Sequence, residues 1–174
     1  MSNQKKLEYF NQIAGRSRKK GFFRRYYWNE ITNYIRYFSH EDISVLEVGC
    51  GSGDLLNGIS ARKKTGIDFS PEMISIAKEK YPQINFKVME AEHIQLEEKF
   101  DLIILSNLIG YTDDIQKVLG EVKKVCHEHT KVIVTYYNYM WEPFLKFTEF
   151  IGIKRKTPRQ NWLTLADINN VLYI

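Results

Sequence analysis

The sequence has little of what secreted and membrane-embedded proteins need. It contains two cysteines among 174 residues, Cys50 and Cys126, which is too few for a disulfide framework. No apolar run reaches the roughly 18 residues that a membrane-spanning helix requires. The N-terminus also lacks the apolar segment of a signal peptide. These absences predict a cytoplasmic protein without membrane segments, and the length suits one domain with a substantial core.

Charge is distributed unevenly along the chain. Residues 1–38 contain nine Lys and Arg against two Glu, whereas residues 39–151 contain twelve basic and eighteen acidic residues. A basic arm beside an acidic body could bind an anionic partner such as RNA. The alternative is a solvated helical face, which is the commoner role of such runs. Because no recognised RNA-binding module accompanies the arm, nucleic acid is a disfavoured partner.

One stretch combines a buried strand, a glycine-rich turn and the start of a helix. Ser44–Val48 is a short apolar run, Gly49, Gly51 and Gly53 follow at alternate positions, and a helical pattern opens at Asp54. Such a turn presents backbone N–H groups to a polar ligand. In a dinucleotide fingerprint the third glycine comes five residues after the first, and here Asp54 takes that position. The spacing therefore disfavours a nicotinamide cofactor.

The pattern Glu-x-Gly-x-Gly-x-Gly at residues 47–53 resembles motif I of the class I S-adenosylmethionine-dependent methyltransferases. Three later segments resemble further motifs of that family, in the right order. They are the strand that ends at Asp68, the segment 85–92, which resembles the family's third-strand motif, and the fourth strand at 100–107. Four matches in order across residues 45–107 make chance a poor explanation.

Strands alternate with helices, which predicts an α/β fold with a doubly wound, mostly parallel sheet of about five strands. Besides the two strands that end at Val48 and Asp68, the patterns predict strands at 84–89, 100–107 and 131–137, and helices at 71–81 and 115–126. Ser70 is the expected N-cap of the first of these helices, and Pro82 its stop. Ligands of such folds bind beyond the carboxyl ends of the strands.

Residues 1–40 are predicted to form a helical arm or lid, and residues 41–174 the cofactor-binding domain. Helical spacing places these residues of the first helix on one face: Leu7, Phe10, Ile13 and Ala14. The predicted apolar stripe of the second helix consists of Tyr27, Ile31, Tyr34 and Phe38. Such a helix packs on the sheet edge, and the resemblance implies that it also covers the cofactor, with Tyr26 or Tyr27 reaching the ligand.

The resemblance implies S-adenosylmethionine as the cofactor and gives it a set of contacts. The glycine loop would hold the methionine part near Glu47, Asp68 would accept both ribose hydroxyls, and Phe69 would pack on the adenine. Glu90 would meet the adenine edge, although Met89 and Glu90 stand where Gly and Asp are common. The implied cofactor-binding residues are Glu47, Gly49, Cys50, Gly51, Gly53, Asp68, Phe69, Met73, Glu90, Ala91, Glu92, Ser106 and Asn107.

Because the sulfonium methyl group is electrophilic, a methyltransferase mainly has to hold a nucleophile in line with it. Ser106 and Asn107 would line the mouth where this occurs. The candidate catalytic residues are His93, Asn107, Tyr111 and Tyr136, with Asp113 as a further candidate base. A lone histidine such as His93 is more often structural. The run 126–129, Cys-His-Glu-His at a predicted helix end, has no second pair of ligands, so no metal is expected.

The acceptor is predicted to be a small molecule or a sugar-linked compound. Residues 106–109 lack the Asn/Asp-Pro-Pro-aromatic signature of enzymes that methylate base amines, and no Pro-Cys nucleophile is present. The run 136–143, together with Asn161 and Trp162, resembles bacterial methyltransferases associated with glycosyltransferases. One alternative is an RNA or protein methyltransferase that uses the basic arm. Another is a cofactor-binding, non-catalytic partner subunit.

The end of the chain is harder to interpret. Residues 141–151 and the segment after Trp162 have helical patterns, and 154–159 is a basic loop. The family normally adds two further strands as an antiparallel pair, and too few residues remain for them. We therefore expect a C-terminally truncated domain in which residues 131–137 form an exposed sheet edge. Because such an edge invites pairing with another chain, self-association is predicted.

Overall fold

A computed structural model of the protein describes residues 3–14 and 22–136, together with Thr164 and Asp167. The predicted helix at 141–151, the basic loop at 154–159 and nearly all of the segment 161–174 lie outside these residues. Residues 137–143, in which the resemblance to glycosyltransferase-associated enzymes is concentrated, also lie outside them.

The described part of the chain contains one parallel sheet and the helices that flank it. The strands are β1 (Ser44–Val48), β2 (Lys63–Asp68), β3 (Asn85–Val88), β4 (Phe100–Ser106) and β5 (Cys126–Thr135). The helices are α1 (Asn3–Ala14), α2 (Phe22–Arg36), α3 (Asp54–Asn57), α4 (Pro71–Lys80) and α5 (Ile115–Lys124). The strand order is β3-β2-β1-β4-β5, and every neighbouring pair is parallel. The predicted doubly wound α/β fold is confirmed.

Strand β1 lies at the centre of the sheet, and all five of its residues are buried. Val45 belongs to a core on one face together with α3 and the inner side of α2, whereas Leu46 and Val48 belong to a core on the other face together with α5. The strand order reverses between β1 and β4. In open α/β sheets this switch point is where a crevice opens beyond the strand ends.

Both predicted helix starts have side-chain caps. Ser70 Oγ accepts a hydrogen bond from the Met73 N–H at 3.2 Å, and Pro71 occupies the first turn of α4. Asp114 Oδ1 accepts from the Lys117 N–H at 2.9 Å in the same way at the start of α5. These caps fix where each helix begins relative to the strand before it.

The predicted apolar stripe of α2 is wrong in one residue. Tyr34 is 60% exposed, whereas Ile35 is fully buried and packs in the core beside Trp28 and Ile31. The two stripes differ by about one residue of helix rotation, and aromatic residues satisfy both patterns. Burying Ile35 costs no hydrogen bond to water, because its side chain has no polar atom. Burying Tyr34 would take a hydroxyl group out of water.

The prediction that Cys126 lies on a helix is also wrong. Helix α5 ends at Lys124, and β5 begins at Cys126 rather than at Lys131, with Cys126 paired to Phe100. The residues between these two positions are mostly polar and give no strand pattern. Their conformation is set by contacts with β4, including the 3.0 Å distance between His127 Nε2 and Asp101 Oδ1.

Strand β5 is one edge of the sheet within the described residues, and Val132 is 40% exposed there. Self-association through this edge stays a prediction, and light scattering over a range of protein concentrations would test it. Among the helices of residues 3–14 and 22–136, each is too short or too polar to cross a membrane.

Candidate cofactor-binding site

The loop between β1 and α3 needs its glycines for two different reasons. Gly49, Gly51 and Gly53 have φ angles of 79°, 50° and 75°, which side-chain-bearing residues rarely adopt. A Cβ atom on Gly53 would lie 2.5 Å from Phe86 Cζ, whereas a Cβ atom on Gly51 would meet nothing within 4 Å. Gly53 therefore permits close packing inside the protein. Gly51 faces an open cradle.

The N–H groups of this loop are largely committed to the protein itself. Gly49 and Cys50 both donate to the carbonyl oxygen of Ile67, at 2.8 and 3.0 Å, and Gly53 donates to Cys50 O at 2.9 Å. Gly51 donates to Asp68 Oδ2 at 2.9 Å. These four N–H groups are satisfied within the protein, and contact between the loop and a ligand stays a prediction. A phosphate group would find few donors here, which agrees with the spacing argument against a dinucleotide.

Asp68 holds the glycine loop and the start of α4 together. Its Oδ2 accepts from the Gly51 N–H, and its Oδ1 accepts from the Ser70 N–H at 2.9 Å. The side chain is buried, and burial raises its pKa, while the two backbone hydrogen bonds oppose that shift. Each carboxylate oxygen has a second lone pair, so Asp68 can still accept hydrogen bonds from a ligand.

Glu47 is a buried acid with an unsatisfied atom. The residue is 3% exposed, and its Oε2 has no hydrogen-bond partner within residues 3–14 and 22–136. Burial raises the pKa of Glu47 well above its usual range, and the nearby Asp68 and Asp54 raise it further, against a backbone hydrogen bond from Leu56. A lone polar atom in such a place is a signal for a ligand, because leaving it unpaired costs about 1–3 kcal/mol.

The pKa of Glu47 makes protein stability depend on pH. Above the pKa of the unfolded chain, the folded state keeps a proton on Glu47 that the unfolded state has lost. Stability therefore falls as pH rises through this window, by up to about 1.4 kcal/mol per pH unit, until the folded pKa is passed. The substitution Glu47→Gln keeps the shape and removes the titration. We expect urea denaturation to show a flatter stability profile for Glu47→Gln above pH 5.

The control for this series is Glu41→Gln, which removes an exposed carboxylate just before β1. Its profile should follow that of the wild type. A Glu47→Gln profile that follows the wild type equally closely would show that Glu47 is ionised in the folded protein.

Helix α1 bridges the two sides of the crevice. The ring of Phe10 makes edge-to-face contacts with Phe69, at 5.5 Å between centroids, and with Tyr111, at 5.3 Å. Ser70 Oγ donates to Asn11 Oδ1 at 2.6 Å. Phe69 and Ser70 follow β2, whereas Tyr111 follows β4, so α1 joins segments that come from opposite sides of β1.

Asn107 is the first residue after β4 and has a left-handed φ of 53°. Its N–H donates to Thr135 O at 2.9 Å, and its Oδ1 accepts from Tyr27 Oη at 3.1 Å. Its Nδ2 is buried and has no hydrogen-bond partner in the described part of the chain. The predicted approach of Tyr27 to the mouth of the site is supported by this contact, whereas Tyr26 is 60% exposed.

Several other predicted site residues make contacts within the protein. Ser106 Oγ and Thr135 Oγ1 are 3.2 Å apart, and Ala91 and Tyr136 pack on the core formed with α5. Met73 is buried on α4. Cys50 is buried, its Sγ lies next to Gly66, and burial raises the pKa of the thiol. The Cys50 side chain therefore lies inside the protein.

The remaining predicted residues lie on the outer side of the loop that follows β3. Glu92 Oε1 accepts from the N–H groups of Asp113 and Asp114, at 3.0 and 3.1 Å, and so fixes the start of α5. His93 is exposed, with its Nε2 at 3.1 Å from Lys117 Nζ and its Nδ1 at 3.8 Å from Glu90. Neither contact joins these residues to Asn107 or to the glycine loop.

One group that supports the site escaped sequence reasoning. Asp54 Oδ1 accepts from Lys80 Nζ at 2.6 Å and from Tyr81 Oη at 2.7 Å, and its Oδ2 accepts from Ser52 Oγ at 3.0 Å. These bonds join the end of the glycine loop to the end of α4. Its one local signal is that an acid stands where a dinucleotide fingerprint has its third glycine. Within the described ranges, no group of three or more potential ligands is placed to hold a metal ion.

Residues 39–167 match the family model described as a methyltransferase domain, so the chain belongs to that family. The match takes in every strand of the sheet, the glycine loop, Asp68 and Asn107. It begins after α2, so the two N-terminal helices lie outside it.

Curated relatives and a solved structure agree with this membership. The chain is 33% identical over 90 residues to malonyl-[acyl-carrier protein] O-methyltransferase from Bacillus anthracis, covering 48% of this chain and 34% of that protein. It is 27% identical over 151 residues to the ubiquinone/menaquinone biosynthesis C-methyltransferase UbiE from Campylobacter jejuni, covering 77% and 64%. This chain therefore spans less than two thirds of either relative.

The fold is similar to that of magnesium protoporphyrin IX methyltransferase from Synechocystis, solved with bound S-adenosylhomocysteine (SAH). The TM-score is 0.70 at 15% identity, over 96% of this chain and 85% of that one.

Proposed function

We propose that this chain binds S-adenosylmethionine in the crevice beyond β1 and β2 and transfers its methyl group to a small-molecule acceptor. The observation on which this rests is the open cradle at Gly51, bordered by the buried carboxylate of Asp68 and near the unpaired Oε2 of Glu47. Membership of the methyltransferase domain family supports the cofactor, as does the SAH in the solved Synechocystis structure.

The electrostatics of the crevice suit a cationic ligand. Repulsion from Asp68 and Asp54 adds to burial in raising the pKa of Glu47, and Glu47 and Asp68 raise that of Cys50. A positive charge would relieve this repulsion, whereas a phosphate would add to it. S-adenosylmethionine has a sulfonium and an ammonium group, so its charge fits this environment.

The residues present account for each part of such a cofactor. Gly51 leaves space for it, Asp68 would accept the ribose hydroxyls, and Glu47 would lie near the methionine part. Phe69 would face the adenine, and Phe10 of α1 would help to exclude water from that side. When bound, S-adenosylmethionine supplies an electrophilic methyl group that passes to the acceptor as the carbon–sulfur bond breaks, leaving SAH.

A small-molecule acceptor is supported by the name of one relative, the ubiquinone/menaquinone biosynthesis C-methyltransferase, whereas the name of the other describes a malonyl group on an acyl-carrier protein. A sugar-linked acceptor stays within this proposal. A cofactor-binding, non-catalytic subunit is the second candidate, and the placement of His93 outside the crevice is the observation that favours it. Release of SAH in the presence of an acceptor panel separates the two.

Titration calorimetry tests the cofactor proposal directly. We expect SAH and S-adenosylmethionine to bind with one site per chain, and NAD to give no detectable heat, because the loop N–H groups that a pyrophosphate needs are occupied. Adenosine provides the matched control, since it keeps the ribose and adenine contacts and should bind more weakly than SAH. Binding of NAD as tight as that of SAH would contradict the proposed function.

A further inference from the structure

The side chain of Asn107 is held in one place by contacts from three elements. Its backbone has a left-handed φ of 53° and is tied to the end of β5 through Thr135. Its Oδ1 is held by the hydroxyl group of Tyr27 on α2, at 3.1 Å. Asparagine tolerates the left-handed conformation better than most residues do. These contacts orient the amide so that its NH₂ group faces away from Tyr27.

The NH₂ group of Asn107 is an unsatisfied hydrogen-bond donor. Asn107 Nδ2 is buried and has no hydrogen-bond partner among the residues that the structure describes, which is costly for a donor that water cannot reach. Its position matters, because the next residue, Leu108, packs on the first glycine of the loop. A Cβ atom on Gly49 would lie 2.9 Å from Leu108 Cδ1. Asn107 therefore lies where β4 meets the glycine loop, at the switch point of the sheet.

We propose that Asn107 Nδ2 donates a hydrogen bond to an oxygen atom of the methyl acceptor, at or beside the methylated atom. The acceptor is then an alcohol, a phenol, an enol or a carbonyl compound, and not a simple amine. Asn107 acts as a specificity-determining residue and Tyr27 as its positioning residue. This inference rests on the proposed methyltransferase function and narrows its substrate class.

The number of lone pairs on the acceptor's oxygen or nitrogen atom explains why an oxygen acceptor fits Asn107 Nδ2 and an amine does not. An ammonium group has only donors and cannot accept from Nδ2, and a neutral amine has a single lone pair, which attack on the methyl group consumes. A hydroxyl, enolate or carbonyl oxygen has at least two lone pairs. One of them can accept from Nδ2 while the oxygen, or the carbon next to it, attacks. The proton that such an acceptor loses passes to water.

Heteronuclear NMR of the isotope-labelled protein, saturated with SAH, tests the inference before the acceptor is known. The side-chain NH₂ signal of Asn107 is assigned by its loss in Asn107→Asp. The oxygen probes are phenol, catechol and acetoacetate, and the amine probes are benzylamine and butylamine. We expect a downfield proton shift of this signal with at least one oxygen probe and none with the amines.

An unchanged Asn107 signal with every probe would overturn the inference, as would an equal shift with the amines. Calorimetry with SAH is run first on the same sample. A failure of SAH to bind would contradict the proposed function itself, whereas binding of SAH without a shift at Asn107 would contradict only this inference.

Kinetics on whichever oxygen probe is methylated gives a second readout. Asn107→Gly removes the amide and keeps the left-handed backbone without strain, so we expect a loss of at least about tenfold in kcat/KM, equivalent to about 1.4 kcal/mol. Calorimetry with SAH on the same variant separates this loss from a loss of cofactor binding. Tyr27→Phe should lower the rate less and broaden the Asn107 signal. Its matched control is Tyr26→Phe, which alters the exposed neighbouring hydroxyl and should behave as the wild type.

A rate that Asn107→Gly leaves unchanged would remove Asn107 from the acceptor site. Turnover of the amine probes alone would also contradict the inference, since those substrates offer Nδ2 no oxygen.

Discussion

Alanine at Gly53 is expected to destabilise the protein severely, whereas alanine at Gly51 is expected to leave it folded and to weaken its binding of the proposed cofactor. At Gly53 the new Cβ atom would lie 2.5 Å from Phe86 Cζ and 3.3 Å from Tyr81 Cδ2. Phe86 is 2% exposed and packs in the core beneath β1 and β2. Strain at positive φ adds about 1–2 kcal/mol, and overpacking adds about 1–3 kcal/mol. Together these are a large part of a typical folding free energy of about 5–15 kcal/mol.

At Gly51 only the strain of a side-chain-bearing residue at positive φ applies. A Cβ atom there would meet nothing within 4 Å, so folding should lose about 1–2 kcal/mol. The methyl group would instead fill the space in which we place the cofactor. Urea denaturation measures the stability of both variants, and calorimetry with SAH measures binding by the folded fraction. Affinity of Gly51→Ala should fall at least about tenfold.

Two other outcomes are informative. Equal destabilisation at both positions would mean that Gly51 has a purely structural role. Normal SAH affinity in a folded Gly51→Ala protein would place the cofactor elsewhere.

Short-range patterns predicted most of the fold because a few neighbouring residues encode them. Strand β1 and the alternating glycines lie within ten residues of one another, and their spacing alone separated this loop from a dinucleotide fingerprint. The N-cap at Ser70 is local in the same way. Such features need no knowledge of the rest of the chain, so a single sequence is sufficient for them.

Long-range contacts explain the failures. The start of β5 depends on pairing with β4, and the residues concerned, among them His127 and Glu128, resemble a polar turn. The orientation of α2 depends on which side fits the core, and Tyr34 and Ile35 could not be ranked by spacing alone. The contact between Tyr27 and Asn107 joins residues 80 positions apart. No local pattern encodes such a pair.

Asp68 shows the same difference between local patterns and long-range contacts within the predicted site. Asp68 was expected to bind ribose, but its bonds to Gly51 and Ser70 show that it also holds the loop in place. If Asp68 binds the cofactor as proposed, binding and local structure are coupled at this residue. An experiment on Asp68 has to keep the side chain's shape, because truncation would release the loop together with the ligand.

Asp68→Asn is the variant that meets this requirement. An amide keeps one acceptor oxygen but turns an NH₂ group toward one of the two backbone N–H donors, and it accepts hydrogen bonds without a charge. Charge-assisted hydrogen bonds contribute about 1.5–3 kcal/mol each. We therefore expect SAH affinity to fall by about tenfold to a hundredfold. The control is Asp42→Asn, in which a carboxylate with a side chain 98% exposed is neutralised far from the loop.

The pH dependence of binding provides a sharper form of the same test. In the proposed function, only an ionised Asp68 carboxylate could accept from both ribose hydroxyls while it holds the two backbone N–H groups. The pKa of Asp68 is raised by burial, so wild-type affinity should decline as pH falls through that raised value, above the range of an exposed aspartate. Asp68→Asn has no such group and should give a flat profile from pH 4 to 7. A wild-type profile equally flat over this range, or an unchanged dissociation constant in Asp68→Asn, would remove Asp68 from the cofactor site and leave it only the role of fastening the loop.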